Sequence, residues 1–261
     1  RQEILEDLQR PTPMNRLLQG DVGSGKTVVA AIAAYACYLN NLQVALMAPT
    51  EILAEQHFQT LSRILAPFGV SVGLRTGSKK TGSGDVMVGT QALLAEKASF
   101  DKLGLVIVDE QHRFGVAQRA LLKAKGRFPH LLTMTATPIP RTLALTLYGD
   151  LDLSVIDELP PGRKIVKTYL TPPAKRDKAY DFIRGKISSG EQVFVITPLI
   201  EPSESLSTSK SAKAEFERLS QEVFPELRLG LLHGRLTSKA KAVVLQDFRD
   251  HQLDILVSTP V

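Results

Sequence analysis

The 261 residues include a single cysteine, Cys37, so no disulfide can close within the chain and no thiolate zinc framework can form. That usage fits a reducing compartment. No apolar run reaches the roughly 20 residues of a membrane-spanning helix; the longest candidate, Val28 to Leu39, is shorter and rich in alanine. Arg1 to Gln9 carries acidic residues and lacks the apolar core of a secretory signal. A strong charge excess is missing too. The chain has 32 Lys+Arg against 27 Asp+Glu, a net +5, which permits nucleic-acid contact without demonstrating it. Before Leu159 there are 16 basic and 15 acidic residues, and from Leu159 onward 16 and 12, so most of the excess lies in the second part.

With 43% hydrophobic and 23% charged residues, the chain can bury a core and is not globally disordered. At roughly 150 residues per domain, the length suggests one and a half to two domains. Short β-branched runs alternate with helical patterns. Arg16–Gln19, Gln43–Ala48, Val70–Leu74, Asp85–Gly89, Leu103–Val108 and Leu131–Thr135 read as buried, parallel strands, and Lys26–Asn40, Ile52–Ala66 and Phe114–Lys123 as helices. The order βαβα places the chain in the α/β class. Asp157–Arg163, with two prolines and a glycine, is the expected linker, giving a first lobe over 1–158 and a second over 159–261.

Beyond the linker the pattern restarts. Strands are expected at Val166–Leu170, Gln192–Thr197, Leu229–Leu232 and Asp254–Val257, with helices at Ala174–Ser188, Ala212–Val223 and Lys239–Arg249. Glu201–Lys213 and Ser78–Gly84 read as loops. Ile4, Leu5 and Leu8 form part of an amphipathic helical face expected to begin upstream. The second lobe stops after a buried-looking strand with no helix to cover it, so a fragment is expected.

Gly20-Asp21-Val22-Gly23-Ser24-Gly25-Lys26-Thr27 satisfies G-x-x-x-x-G-K-[ST] between an apolar strand and an apolar helix. Glycines let backbone N–H groups turn inward around a phosphate, and the following helix adds its positive end. Lys26 would neutralise the β/γ-phosphates and Thr27 would offer a hydroxyl to Mg²⁺. Asp109-Glu110-Gln111-His112 follows a buried strand, at the carboxyl edge where α/β ligand sites form. Two adjacent carboxylates there are costly without a cation; Asp109 would hold Mg²⁺ and Glu110 would orient water. Capping of the next helix is the bland alternative for that pair. Thr135-Ala136-Thr137-Pro138 brings two hydroxyls to the same edge, where linkage to the γ-phosphate and a simple Thr-Pro helix start account for them equally. Cys37, on the helix after the P-loop, reads as a buried inert thiol.

The ordered set GDVGSGKT, APTEILAEQH, DEQHRFGV and TATPIPRT resembles the superfamily-two helicases, and its wording is similar to the bacterial branched-DNA translocases. PMNRLLQ, LALTLYGDLDLSVIDELPPGR, VFVITPLIEPSE and LLHGRL extend the resemblance over nearly the whole chain. The transcription-repair coupling factors share GDVG-GKT and RFGV and are the nearest competitor. The resemblance implies two RecA-like, parallel-sheet lobes that use ATP and Mg²⁺ to move on double-stranded DNA, reversing stalled forks and migrating Holliday junctions in repair and recombination. It implies a bacterial, cytoplasmic, nucleoid-associated protein, monomeric as a whole and not in a membrane. Gly20 to Thr27 would then bind ATP, Asp109 and Glu110 would bind Mg²⁺ and activate water, and Gln111 and His112 would sense the γ-phosphate with Thr135 and Thr137. Pro49, Thr50, Thr76, Gly77, Gly89, Thr90 and Gln91 match segments expected at DNA phosphates. His233, Gly234, Ser258 and Thr259 are their second-lobe counterparts. Each also reads as an ordinary strand-end turn. Contacts of this kind carry no sequence information, so any DNA preference is expected to be for shape.

Pro260 stands where the family pattern has threonine, and the glutamine- and arginine-rich motif with its arginine finger is expected beyond Val261. Since such a finger is worth about 10³ to 10⁵ in kcat, slow hydrolysis at most is expected of this chain. Two other classes fit less well. A P-loop kinase or small-molecule ATPase gives no reason for a second α/β lobe, and a DNA-binding module with a vestigial nucleotide site does not explain an intact Lys26, Thr27, Asp109 and Glu110.

Overall fold

The computed structural model describes residues 1–95, 99–110, 125–126, 128–137, 151–158, 166–197 and 212–259. The chain divides into two compact units, Arg1–Lys164 and Ile165–Val261.

In the first unit, helix α1 (Gln2–Leu8) precedes strand β1 (Asn15–Gly20), helix α2 (Lys26–Leu39), strand β2 (Gln43–Met47) and helix α3 (Glu51–Leu65). Strands β3 (Val72–Arg75), β4 (Lys80–Thr81), β5 (Val86–Gly89), β6 (Leu103–Asp109), β7 (His130–Thr135) and β8 (Asp152–Ile156) follow. They form one eight-stranded sheet in the order β4-β3-β5-β2-β6-β7-β1-β8, parallel except where β4 runs antiparallel to β3. All seven residues of β6 are buried, which explains its unbroken apolar run at the sheet centre. The alternation of the pleat sorts its side chains. Leu105 and Ile107 join Val44, Leu46, Leu132 and Met134 on the face that carries α2 and α3, while Val106 and Val108 join Ala45, Met47, Leu93 and Leu131 on the other. Helix α3 starts where the Thr50 hydroxyl accepts from Leu53 N–H at 3.3 Å, and it buries Ala54, Leu61 and Leu65.

A buried ion-pair cluster fixes α1 to this sheet. Arg16, on β1, donates from Nε to Asp7 Oδ2 at 2.7 Å and from Nη1 to Ser154 Oγ at 2.9 Å. Ser154, on β8, in turn donates to Glu3 of α1.

The second unit contains helix α4 (Arg176–Ser188), strand β9 (Val193–Ile196), helix α5 (Ala212–Arg218), strand β10 (Leu229–Leu232), helix α6 (Ser238–Arg249) and strand β11 (Ile255–Ser258). Its sheet is parallel, in the order β10-β11-β9. One face packs Ile255 and Val257 on Leu219 and Phe224, and the other packs Leu256 on Leu232 and Phe248. Tyr180 of α4 meets the Phe224 ring edge to face, centroids 5.5 Å apart.

Several expectations are corrected. Val166–Leu170 forms no strand; Val166, Tyr169 and Leu170 are exposed, so the β-branched run has no sheet face to bury. Ser78–Gly84 is not wholly loop, because Lys80 and Thr81 pair with Arg75 and Leu74, and the Thr81 hydroxyl accepts from Leu74 N–H at 3.0 Å. A two-residue edge strand is too short to leave a period in the sequence. Strand β8, which the periodicity did not reveal, has a single buried residue, Ser154, and so carries no apolar alternation. The helix expected over Ala212–Val223 is α-helical to Arg218 and then widens, with Phe224 N–H donating to Leu219 O at 2.7 Å. Lys213 belongs to α5, so the expected loop ends earlier. The helix expected at 114–123, most of the linker and most of the loop expected at 201–213 lie outside the described residues.

Candidate nucleotide site and nucleic-acid edge

The parallel topology sends the carboxyl ends of β1, β7 and β6 to one edge as immediate neighbours. Gln19 is in register with Thr135, and Asp109 with Met134. Three sequence motifs meet there: the P-loop after β1, the threonine pair after β7 and the acidic pair at the end of β6.

Between β1 and α2 the loop turns through Gly23 (φ 81°) and Gly25 (φ 95°), left-handed values that favour glycine. Among the described residues no side chain caps α2 and nothing lies within 4 Å of a Cβ placed on Gly25, so none of them closes off this helix end. Such an end attracts an anion. Lys26 Nζ lies inside the loop, donating to the carbonyl oxygens of Gly20 and Asp21 at 2.7 and 2.8 Å. The Asp21 carboxylate accepts from Val22 N–H at 2.7 Å. Ser24 Oγ is buried with no hydrogen-bond partner among the described residues, a polar atom facing Gly20 that the loop itself leaves unsatisfied. Thr27 is in the first turn of α2. These features fit a nucleotide phosphate chain.

Asp109 ends β6 and is 9% exposed. Its Oδ2 accepts from Nε2–H of His57, on α3, at 2.7 Å. Glu110 takes φ 52°, an uncommon left-handed conformation for a residue with a side chain, at the point where the strand turns away. A buried oxygen donor at a strand end suits Mg²⁺, which takes one or two protein carboxylates and completes its shell with phosphate and water oxygens. Among the described residues no cluster of three or more His, Cys, Asp or Glu could hold an ion unaided. The Thr135 and Thr137 hydroxyls are 2.9 Å apart, and Thr137 N–H donates to Thr135 Oγ1 at 3.2 Å. Gln111 and His112 lie outside the described residues. Cys37 is buried in α2, and burial pushes its thiol up to about 12.

The other half of the same edge, on the neighbouring strands β2, β5 and β3, carries the first-lobe residues expected at DNA phosphates. Pro49 and Thr50 follow β2, and Thr50 caps α3. Thr76 and Gly77 follow β3 in a tight turn, in which Thr76 N–H donates to Lys79 O at 2.8 Å. Helix α3 holds this turn. Glu51 accepts from Ser78 N–H at 2.9 Å and from its hydroxyl at 2.8 Å, and Glu55 pairs with Lys79 at 2.6 Å. Gly89 ends β5, and Thr90 and Gln91 lead into a short 3₁₀ turn over Gln91–Leu94.

In the second unit, His233 and Gly234 follow β10 while Ser258 and Thr259 stand at the end of β11, again on neighbouring strands. Thr259 N–H donates to Leu232 O at 3.3 Å. His233 Nδ1 is buried without a partner among the described residues. Pro260 lies outside them.

His57 is the residue that sequence reasoning left without a role. Its one signal was a polar side chain on the inward face of α3, in step with Ala54 and Leu61.

Residues 2–146 match the model of the DEAD/DEAH box helicase family. This chain belongs to the DEAD/DEAH box helicases. The helicase chain is 52% identical over 271 residues to the ATP-dependent DNA helicase RecG of Synechocystis, a match that covers 99% of the chain and 32% of the relative. It is also 52% identical over 273 residues to the RecG of Aquifex aeolicus, covering 99% of the chain and 34% of the relative. A solved structure of RecG bound to a three-way DNA junction superposes with a TM-score of 0.75 at 44% identity, covering 99% of this chain and 35% of that one. The chain therefore spans about a third of the length of the RecG proteins it matches. Its fold class is the expected one, an α/β architecture of RecA-like helicase type. Among the described residues no helix is long and apolar enough to cross a membrane.

Proposed function

We propose that this chain is the ATP-driven motor region of a RecG-type helicase, acting on branched double-stranded DNA. The work of the whole protein would be fork reversal and Holliday-junction migration in repair and recombination, by a monomeric protein at the nucleoid in the bacterial cytoplasm. The observation that carries the reading is the meeting of the P-loop, the threonine pair and Asp109-Glu110 on three adjacent strand ends, in a chain half-identical to RecG. The comparisons lend the coupling-factor reading no support.

In this reading Lys26 exchanges its two loop carbonyls for the β/γ-phosphates, and the uncapped amides of α2 take the remaining phosphate charge. Asp109 and Thr27 would hold Mg²⁺, which when bound neutralises phosphate charge and polarises the γ-phosphoryl group. Glu110 orients the attacking water and accepts its proton. Gln111, His112, Thr135 and Thr137 relate the γ-phosphate to the rest of the first lobe. The lobes, 1–158 and 159–261, would present Pro49, Thr50, Thr76, Gly77 and Gly89 to Gln91, and His233, Gly234, Ser258 and Thr259, to DNA phosphates.

A titration of this chain with a three-way junction and with a linear duplex, at several salt concentrations, tests the DNA half of the proposal. The reading predicts tighter binding to the junction and a log K against log[salt] slope of about −0.9 per phosphate neutralised. No binding to either DNA, equal affinity for the two, or binding that does not change with salt would contradict it.

A further inference from the structure

His57 and Asp109 are 52 residues apart in sequence, yet they share the 2.7 Å hydrogen bond that joins α3 to the acidic end of β6. Both side chains are close to fully buried, 11% and 12% exposed. An ionised carboxylate only accepts hydrogen bonds, so Nε2–H of His57 is the donor, and it fixes which way the Oδ2 edge of Asp109 points.

The helix behind His57 is itself held at several points. The Thr50 hydroxyl caps it, Ala54, Leu61 and Leu65 are buried along its inner face, and Glu51 and Glu55 grip the turn Thr76–Lys79. At 1.5 Å of rise per residue, Glu51 and His57 are about 9 Å apart along the axis. A single rigid element therefore holds the turn after β3 at one point and the carboxylate after β6 at another.

We propose that His57 is a positioning residue for the nucleotide site. It holds the Asp109 carboxylate in the orientation that receives the Mg²⁺ of a Mg–nucleotide complex, and through α3 it ties that orientation to the turn Thr76–Lys79. The inference rests on the reading that Asp109 serves the nucleotide's cation. Hydrogen-bond partners of metal-binding carboxylates typically change metal affinity by roughly 10- to 100-fold when removed.

The test measures the affinity of this chain for a fluorescent ATP analogue in EDTA and across a Mg²⁺ series, for the unaltered chain and four variants. His57→Leu removes the donor. His57→Asn keeps a polar side chain that stops short of the carboxylate, and His57→Gln returns an N–H at longer reach. Asp109→Asn probes the cation site directly. The Mg²⁺ concentration for half-maximal enhancement of binding should rise at least about tenfold in His57→Leu and His57→Asn. His57→Gln should restore much of it, and binding in EDTA and the thermal midpoint of His57→Asn should stay near those of the unaltered chain. Where His57→Leu fails to fold, the Asn and Gln pair decides alone.

If Asp109→Asn loses the Mg²⁺ enhancement while His57→Asn keeps it, Asp109 serves the cation and the positioning role of His57 is wrong. If Asp109→Asn keeps the enhancement, the reading of Asp109 fails and takes the inference with it. Equal losses in EDTA and in Mg²⁺ for His57→Asn would make His57 a structural residue only and overturn the proposal.

Discussion

A Cβ placed on Gly89 would stand 2.1 Å from the carbonyl oxygen of Arg75, its register partner on the adjacent strand β3. The collision is with backbone, which cannot swing aside, so the approach of β5 to β3 admits glycine alone. This approach sets the spacing between the turn at Thr76 and the segment Thr90-Gln91, both candidate DNA contacts. Gly89→Ala should lower stability by about 1–3 kcal/mol or more, as overpacking does, read from the denaturant midpoint. A midpoint equal to that of the unaltered chain would show that the strands separate freely.

Asp7 and Arg16 form a buried pair, 2% and 8% exposed, that fastens α1 to β1. Removing one partner of such a pair typically costs about 3–5 kcal/mol, and Glu3 and Ser154 remain near Arg16, so Asp7→Ala should fall at the lower end of that range. The double variant Asp7→Leu with Arg16→Met should recover much of the loss, because it leaves no buried charge behind. Chemical unfolding of the unaltered chain, Asp7→Ala, the single variants Asp7→Leu and Arg16→Met, and the double variant checks both statements. A double variant that loses the sum of the losses of Asp7→Leu and Arg16→Met would count against the pair as described.

The legible parts of this fold were those with a dense local pattern. Leu103–Asp109 is buried at every position and shows as an apolar run, and α3 repeats its buried residues at helical spacing. Asp152–Ile156, by contrast, buries only Ser154 for the sake of Arg16, a contact 138 residues away in sequence that no window can reveal. Val166–Leu170 shows the opposite error: a β-branched composition without an edge to pair with stays irregular. At the candidate site, Gly20–Thr27 and Asp109 stand out in the sequence because phosphate and cation chemistry would call for those residue types at strand ends, and the sheet does bring them to neighbouring strand ends. His57 was not, since its meaning depends on a partner that the sheet order alone brings near.

The pH dependence of stability should carry a signature of His130. Met14 N–H donates to His130 Nδ1 at 2.9 Å, and burial holds the imidazole pKa below its ordinary 6.5 against an opposing pull from Asp7. The folded chain then binds this proton less readily than the unfolded chain. His130 accordingly contributes stability that is present above 6.5 and is lost as pH falls through the lowered folded value. Melting temperature measured from pH 7.5 to 5 should fall more in the unaltered chain than in His130→Asn, whose amide oxygen can accept from Met14 without titrating. Parallel curves for the two would rule the contribution out.

Cys37, pushed up to about 12 by its burial in α2, should be inert to thiol reagents in the native chain at neutral pH and react fully once unfolded. Timed labelling with a chromogenic disulfide, with and without denaturant, gives the comparison. Rapid native labelling would mean that α2, and with it the P-loop it supports, opens readily.

The most direct measurement is binding of a fluorescent ATP analogue with Mg²⁺ to the unaltered chain and to Lys26→Ala. Replacing charge-assisted hydrogen bonds with a methyl group should weaken binding by roughly 10- to 100-fold if, as proposed, Lys26 exchanges the carbonyls of Gly20 and Asp21 for the phosphates. Saturable binding that collapses in Lys26→Ala is the predicted result. Equal affinity in the two proteins, or no binding to the unaltered chain, would contradict the assignment of this loop as the nucleotide site.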